Sequence, residues 1–268
     1  MTDPVQTSNN VESRPPGTQT LSRGLEIVRA VATGATDLKS VCLATGIGRS
    51  TAHRLVQLLE QFGYLRSTHG ADYSLGPTLI ELGFQALYQS PASTVARPFL
   101  ELLSKKYLDT IHLAIEEEGQ VLYVDKISGS RGAEMRSRIG YRMPLSQTGI
   151  GKALLLDEPH RWEAVFDQEH HGLNTPNDVR KLFLTRMSKY AKQGSTLDLE
   201  ENEPGIRCVA APVHNGSGAV VAAISISAIT PYMPAERMKA LQPVMQQTAL
   251  AISRKLGYAG RTFHADPA

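Results

Sequence analysis

Apolar residues recur at helical spacing from Leu21 onward. Leu21, Leu25, Val28 and Ala32 predict a first helix, with Thr20 or Ser22 as its N-cap and Gly34 as its stop. Asp37 is placed to cap a second helix that carries Leu38, Val41, Cys42 and Ala44 and ends at Gly46. In the third helix Leu55, Leu58, Leu59 and Phe62 form an apolar stripe, while Arg49, Ser50, Thr51, His53 and Arg54 crowd the first turn. Gly63 breaks that helix, and Tyr64-Leu65-Arg66 and Asp72-Tyr73-Ser74-Leu75 read as two strands around a turn at His69-Gly70-Ala71. Three helices followed by a two-stranded ribbon make a winged helix-turn-helix.

Pro77 then opens an apolar helical stretch, with Leu79, Leu82, Phe84, Ala86 and Leu87, which Ser90-Pro91 stops. It is too short for a domain and too apolar for a free linker, so it is expected to pack between domains or against a second subunit. From Ser93 the pattern turns mixed. It predicts a helix over 95–107 with Pro98 in its first turn, and strands over 110–116, 120–127 and 134–139. Helices follow over 151–156, 162–166 and 177–193, then a hairpin of 206–213 and 219–229, and a closing helix over 235–256. The reading is α+β: a disordered tail over 1–19, a DNA-binding domain over 20–76, a linker helix over 77–92, an antiparallel-sheet domain over 93–260 and a flexible end over 261–268.

Composition narrows the function classes. The chain has 268 residues, room for two domains, and 41% hydrophobic with 20% charged residues describes a globular protein. A net charge of +2 provides no global positive field, so any DNA contact must come from local placement of Arg and Lys. Cys42 and Cys208 form no CxxC pair, which argues against a disulfide framework or a cysteine zinc site and fits a reducing cytoplasm. No apolar run reaches the roughly 18–20 residues needed to span a bilayer, and the first twenty residues hold no signal-peptide core. Arg14 is the only cation in the tail, too little for a basic DNA-binding arm.

The third helix has the chemistry of a recognition helix. Arg49 and Arg54 suit phosphate or the O6/N7 edge of guanine, Ser50 and Thr51 suit phosphate oxygens, and His53 can donate to a base edge. Ser40 and Lys39 on the second helix and Arg66 on the wing are further phosphate candidates. The alternative is a plain solvated face. A module of such small charge is expected to need dimerisation, and hence a roughly palindromic operator.

The chain resembles the IclR family of bacterial transcriptional regulators along almost all of its ordered length. The resemblance rests on Ser22-Arg23-Gly24-Leu25, on residues 45–55 (TGIGRSTAHRL) and on Tyr73-Ser74-Leu75-Gly76. In the second domain it rests on residues 144–153 (PLSQTGIGKA) and 205–213 (GIRCVAAPV). The family implies a GAF-like effector-binding domain, assembly as dimers or dimers of dimers, and a small carboxylate or aromatic-acid effector without a cofactor. Where the family commonly has a His two residues after the first motif's Pro, this chain has Ser146, which is expected to alter ligand choice.

Several positions then converge on an effector site. The Thr148-Gly149-Ile150-Gly151 turn before a helix is a candidate carboxylate cradle. If Asn215–Gly218 is the hairpin loop, His214 faces Ala219, Cys208 faces Ser225, and Ile206 faces Ser227. Cys208, Ser225 and Ser227 then share one sheet face. Asp198 matches an acidic position near the family's pocket, as a hydrogen-bond acceptor or merely a loop cap. Met135, Ile139 and Leu145 are candidates for an apolar wall that suits a hydrophobic or aromatic ligand body.

Three rival readings stand beside this one. Cys208 with His112 or His214 would make a cysteine-dependent enzyme, but it sits mid-strand with no acidic orienter. His160, His170 and His171 lack metal-ligand spacing. A winged helix used only for protein contact would show no salt-dependent DNA binding.

Overall fold

Asp37 and Ser40 cap each other. The Asp37 carboxylate accepts the Ser40 N–H at 2.7 Å, and the Ser40 hydroxyl accepts the Asp37 N–H at 3.1 Å. This reciprocal box starts α2 (Leu38–Thr45), which ends at Gly46 in the left-handed region (φ 68°), as its sequence predicts. Around it in the computed structural model stand α1 (Gln19–Ala32), α3 (Arg49–Gln61), a ribbon of β1 (Leu65–Thr68) and β2 (Asp72–Leu75), and α4 (Pro77–Tyr88). The structure describes residues 18–68, 72–89, 91–131, 135–172 and 175–260, so the expectations for 1–17, for the wing turn at 69–71 and for 261–268 lie outside them. The chain divides into two compact units, Met1–Ala86 and Leu87–Ala268.

The N-terminal unit buries Ile27, Val31, Val41, Ile47, Ala52, Leu55, Val56 and Leu65 together. Two apolar faces differ from expectation. On α1 the inward stripe is Gly24, Ile27, Ala30 and Val31, while Leu21 and Leu25 are 68% and 52% exposed. That helix is apolar on two sides, and periodicity alone does not say which side meets the core. Its N-cap is Thr18, without a side-chain hydrogen bond, rather than Thr20 or Ser22. On α3, Ala52, Leu55 and Val56 pack, with Leu59 partly buried beside them, whereas Leu58 and Phe62 are exposed. Leu58 lies about 110° around the axis from the centre of the packed face, and Phe62 is already the C-cap.

The C-terminal unit begins with α5 (Pro91–Tyr107). Pro91 is its first residue rather than the stop of the preceding helix, and Pro98 lies inside it. Six antiparallel strands follow in the order β5-β4-β3-β8-β7-β6: β3 (Thr110–Glu117), β4 (Gln120–Ile127), β5 (Arg142–Met143), β6 (Thr196–Leu199), β7 (Ile206–His214) and β8 (Val220–Ile229). Ile111, Leu113, Val209, Ile224 and Ile226 face α5 and α9 (Ala235–Lys255). The other face meets α6 (Gly149–Leu154), α7 (Trp162–Glu169) and α8 (Asn177–Gln193) through Ala114, Tyr123, Ala210 and Ala223. Both faces are covered, which is why β3, β7 and β8 read as near-continuous apolar runs.

One strand expectation fails, over 134–139, and one strand, β6, was not foreseen. Residues 135–141 form no strand; the edge strand is instead β5, with Met143 paired to Val121. β6 has only four residues, too few to show an alternation. The hairpin register also differs: Cys208 opposes Ser227, Ala210 opposes Ser225 and Ile206 opposes Ile229. Asn215, not His214, bonds to Ala219 at the tip, and a bulge at Val213/His214 adds a second residue of offset. An offset of two leaves every side chain on the expected face.

Gly76 joins the wing to α4 through its N–H to Tyr64 O at 2.8 Å, and a Cβ there would collide with the Gly63 backbone. Gly76→Ala is expected to destabilise the N-terminal unit by ~2 kcal/mol or more. Trp162, the chain's single tryptophan, lies in the other unit. The loss should therefore appear in far-UV circular dichroism on urea unfolding while the fluorescence midpoint holds.

Candidate DNA interface and effector pocket

The first turn of α3 is open on its outer side. Arg49, Ser50, His53 and Arg54 are exposed and Thr51 is half-buried. Among the described residues no ion pair holds Arg49 or Arg54. The N-cap is Gly48, which supplies no side-chain cap, so the first N–H groups are left for an outside acceptor. Ser40 differs: its hydroxyl also donates to Asp37 O at 2.9 Å, so it serves the start of α2. Arg66 donates through Nε to Ser74 Oγ at 3.2 Å across the wing and stays exposed.

In the C-terminal unit one polar row crosses the sheet. Asp198 on β6, Cys208 on β7, Ser227 on β8 and Thr110 on β3 are successive paired positions, and Ser225 pairs with His112 alongside. These residues, Thr110 excepted, line a cavity of about 50 Å³ together with Tyr123, Met135, Arg136, Ser137, Thr148, Ile150, Asn202, Glu203 and Ile206. Of the expected residues, Met135, Ile150, Asp198, Cys208, Ser225 and Ser227 are thus brought together. Ile139 is not: it is 51% exposed, because its segment is a loop rather than a strand. Leu145 is core between the sheet and α6. Ser146 does not line the cavity; its N–H and hydroxyl bond to Glu169 of α7.

Gly149 sits behind the cavity. A Cβ there would run into Cys208 Sγ and lie 3.1 Å from the Asp198 nitrogen, so glycine is what lets α6 touch the sheet. The glycine N–H groups expected to cradle a carboxylate are engaged by the protein. Thr148 Oγ1 accepts from Gly151 at 3.0 Å, and the Gly149 N–H faces the Cys208 sulfur. Next to them Lys152 is 1% exposed and paired with Glu201, whose other oxygen meets Arg186 at 2.6 Å.

Burial sets the protonation of the cavity. It pushes the Cys208 thiol up to about 12, so the sulfur is a neutral thiol and not a nucleophile at neutral pH. Burial also lifts the Asp198 carboxyl to about 6, against the pull of Lys152. His112 falls to about 3 through burial and the nearby Lys126 ammonium, so its ring is neutral. Nε2 of that ring meets Ser137 Oγ at 2.7 Å, Nδ1 lies 3.4 Å from Ser225 Oγ, and Tyr123 packs on it with centroids 5.0 Å apart. Sequence reasoning assigned His112 no place in the pocket. Its signal, a position opposite Ser225, needs the pairing of β3 with β8, more than a hundred residues apart. Among the described residues no group of three or more His, Cys, Asp or Glu side chains is gathered to hold a metal ion.

Residues 84–254 match the model for the bacterial transcriptional regulator IclR C-terminal domain, and residues 20–69 match the IclR helix-turn-helix domain. The chain belongs to the IclR family of bacterial transcriptional regulators. It is 34% identical over 247 residues to the HTH-type transcriptional regulator XynR of Escherichia coli, covering 90% of this chain and 98% of that one. It is 30% identical to the DNA-binding transcriptional repressor YiaJ of the same organism, covering 93% and 92%. The crystal structure of the Thermotoga maritima IclR superposes with a TM-score of 0.73 at 28% identity, covering 90% of this chain and all of that one. An IclR-family chain is a DNA-binding regulator with a C-terminal effector domain and not an enzyme, in keeping with the unreactive Cys208. No helix among the described residues is long and apolar enough to cross a membrane.

The buried neutral imidazole has a pH signature. Below 6.5 the unfolded chain gains a proton that folded His112 refuses down to about 3, so its contribution to stability is full above 6.5 and falls on acidification. The slope is ~1.4 kcal/mol per pH unit. Between pH 7 and pH 5, His112→Gln should lose ~2 kcal/mol less than the wild type in urea unfolding followed by Trp162 fluorescence. Gly149→Ala should destabilise the same unit by ~1–3 kcal/mol by prising α6 from Cys208.

Proposed function

We propose that α3 reads operator DNA and that a small carboxylate or aromatic-acid metabolite in the C-terminal cavity sets its affinity. The observation that carries this reading is the row Asp198–Cys208–Ser227, with Ser225 and His112 beside it, lining a cavity in a chain whose α3 holds Arg49 and Arg54 in no ion pair among the described residues. Arg49, Ser50, Thr51, His53 and Arg54 would meet bases and phosphates, and Arg66 the flanking backbone. Ser40 would act at one remove, by fixing the start of α2.

The cavity favours the smaller acids. About 50 Å³ holds about four waters at the ~10–15 Å³ each requires, enough for an acid of a few heavy atoms, whereas an aromatic body needs the walls to part. A homodimer or dimer of dimers fits the exposed apolar residues Leu21 and Leu25 on α1 and Ile80 and Phe84 on α4. The working compartment is the cytoplasm, where operator DNA and metabolites meet.

The test is binding of the full-length protein to DNA upstream of its own gene, with and without a panel of small acids. Affinity should fall steeply with salt, and Arg49→Ala should weaken binding by about tenfold and flatten the salt slope by about one. Ser225→Ala combined with Ser227→Ala should leave operator affinity intact and shift the effector response to at least tenfold higher concentration. Binding without salt dependence, or none at all, would favour the reading of a winged helix used for protein contact.

A further inference from the structure

Two carboxyl groups line the cavity: Asp198, which is buried, and Glu203, which stands at the rim beside Arg136. Asp198 accepts the Glu201 N–H through Oδ1 at 2.9 Å, and among the described residues no Lys or Arg bonds to it. The nearest ammonium, Lys152 on α6, is bound to Glu201, and Arg186 on α8 takes the other oxygen of that same glutamate. Lys152 and Arg186 against Glu201 and Asp198 already sum to zero. The other groups around Asp198 are uncharged: the Cys208 thiol on β7, Tyr123 on β4, Tyr190 on α8, the Ser225 and Ser227 hydroxyls on β8, and the neutral His112 ring on β3. At the rim the Arg136 side chain is 90% exposed and lies 3.9 Å from Glu203, and beside His112 the Lys126 ammonium on β4 donates to Met135 O at 2.8 Å and Ser137 O at 2.6 Å.

A ligand carboxylate entering about 50 Å³ therefore comes close to Asp198 as a second negative charge. Two carboxylates in one desolvated site do not both stay ionised; one keeps a proton, which then bridges them as a hydrogen bond. Resting on the acid-effector reading above, we infer that the pocket takes up one proton from solvent with each carboxylate ligand, shared between Asp198 and the ligand, so that the metabolite signal is coupled to pH. The site is poised for this, because burial has already raised the Asp198 carboxyl to about 6. At pH 7 about one pocket in ten carries the proton. Ligand affinity approaches a tenfold fall per pH unit well above 6 and levels off below it.

The experiment uses the full-length protein and three named acids, glycolate, pyruvate and benzoate, titrated by calorimetry at pH 6, 7 and 8. The acid that binds should lose about fiftyfold in affinity from pH 6 to pH 8. Heats compared in phosphate and Tris at pH 7.5 should show close to one proton taken up per ligand. In Asp198→Asn, whose amide keeps a carbonyl for the Glu201 N–H, affinity should no longer change with pH and proton uptake should vanish. The proton count on the wild type stands even if that variant fails to fold. An acid that binds equally at pH 6 and pH 8 without proton uptake overturns the coupling and leaves the acid-binding pocket in place. Failure of all three acids to bind at any pH overturns the acid-effector reading and the coupling with it.

Discussion

Everything in the C-terminal unit follows from how closely α6 lies on the sheet. At Gly149 the helix backbone rests against the Cys208 sulfur and the Asp198 main chain, with no room for a side chain between them. That contact places Thr148 to cap Gly151 and brings Thr196 on β6 within 2.6 Å of the Gly149 carbonyl. It also buries Lys152 almost fully, which forces a partner upon it, and Glu201 fills that role. The turn that carries Glu201 in turn donates to Asp198. A packing constraint between a helix and a sheet thus ends as the protonation state of one carboxyl group in a cavity.

The same sheet divides its labour by face. Toward α5 and α9 it shows branched apolar side chains, the Val, Ile and Leu of a dry core. Toward α6 the central strands show Cys, Ser and His, small or hydrogen-bonding groups that leave a void where a core would have filled it. In the N-terminal unit the division is by helix. α2 takes its stability from a capping box within its own first turn, whereas α3 has no side-chain cap and leaves its outer face to arginine, serine and histidine.

Local chemistry was legible in the sequence and non-local pairing was not. Asp37, Gly46 and Gly63 mark helix ends through their own backbone geometry, and the structure keeps them where the sequence placed them. The run 177–193 has clean ends and became α8 without change. The inward face of α1 was missed because Leu21 and Leu25 are as apolar as Ile27 and Val31. β6 was missed because four residues carry too little pattern, and with it went the fact that Asp198 stands on the sheet rather than in a loop. The face shared by Cys208, Ser225 and Ser227 was right even though each pairing was off by two. His112 entered the pocket unannounced, since only the union of β3 with β8 puts it there.

The bulge at Val213/His214 bears on how this hairpin can evolve. Which way a strand residue points is a matter of odd and even, so length changes at the tip act on the cavity only through their parity. Residues gained or lost in pairs slide one strand along the other and still deliver thiol and hydroxyls to the cavity side. A single insertion would turn the whole row into the dry core unless a bulge absorbs it. The tip is thereby free to drift in steps of two, while the surface it serves keeps its chemistry.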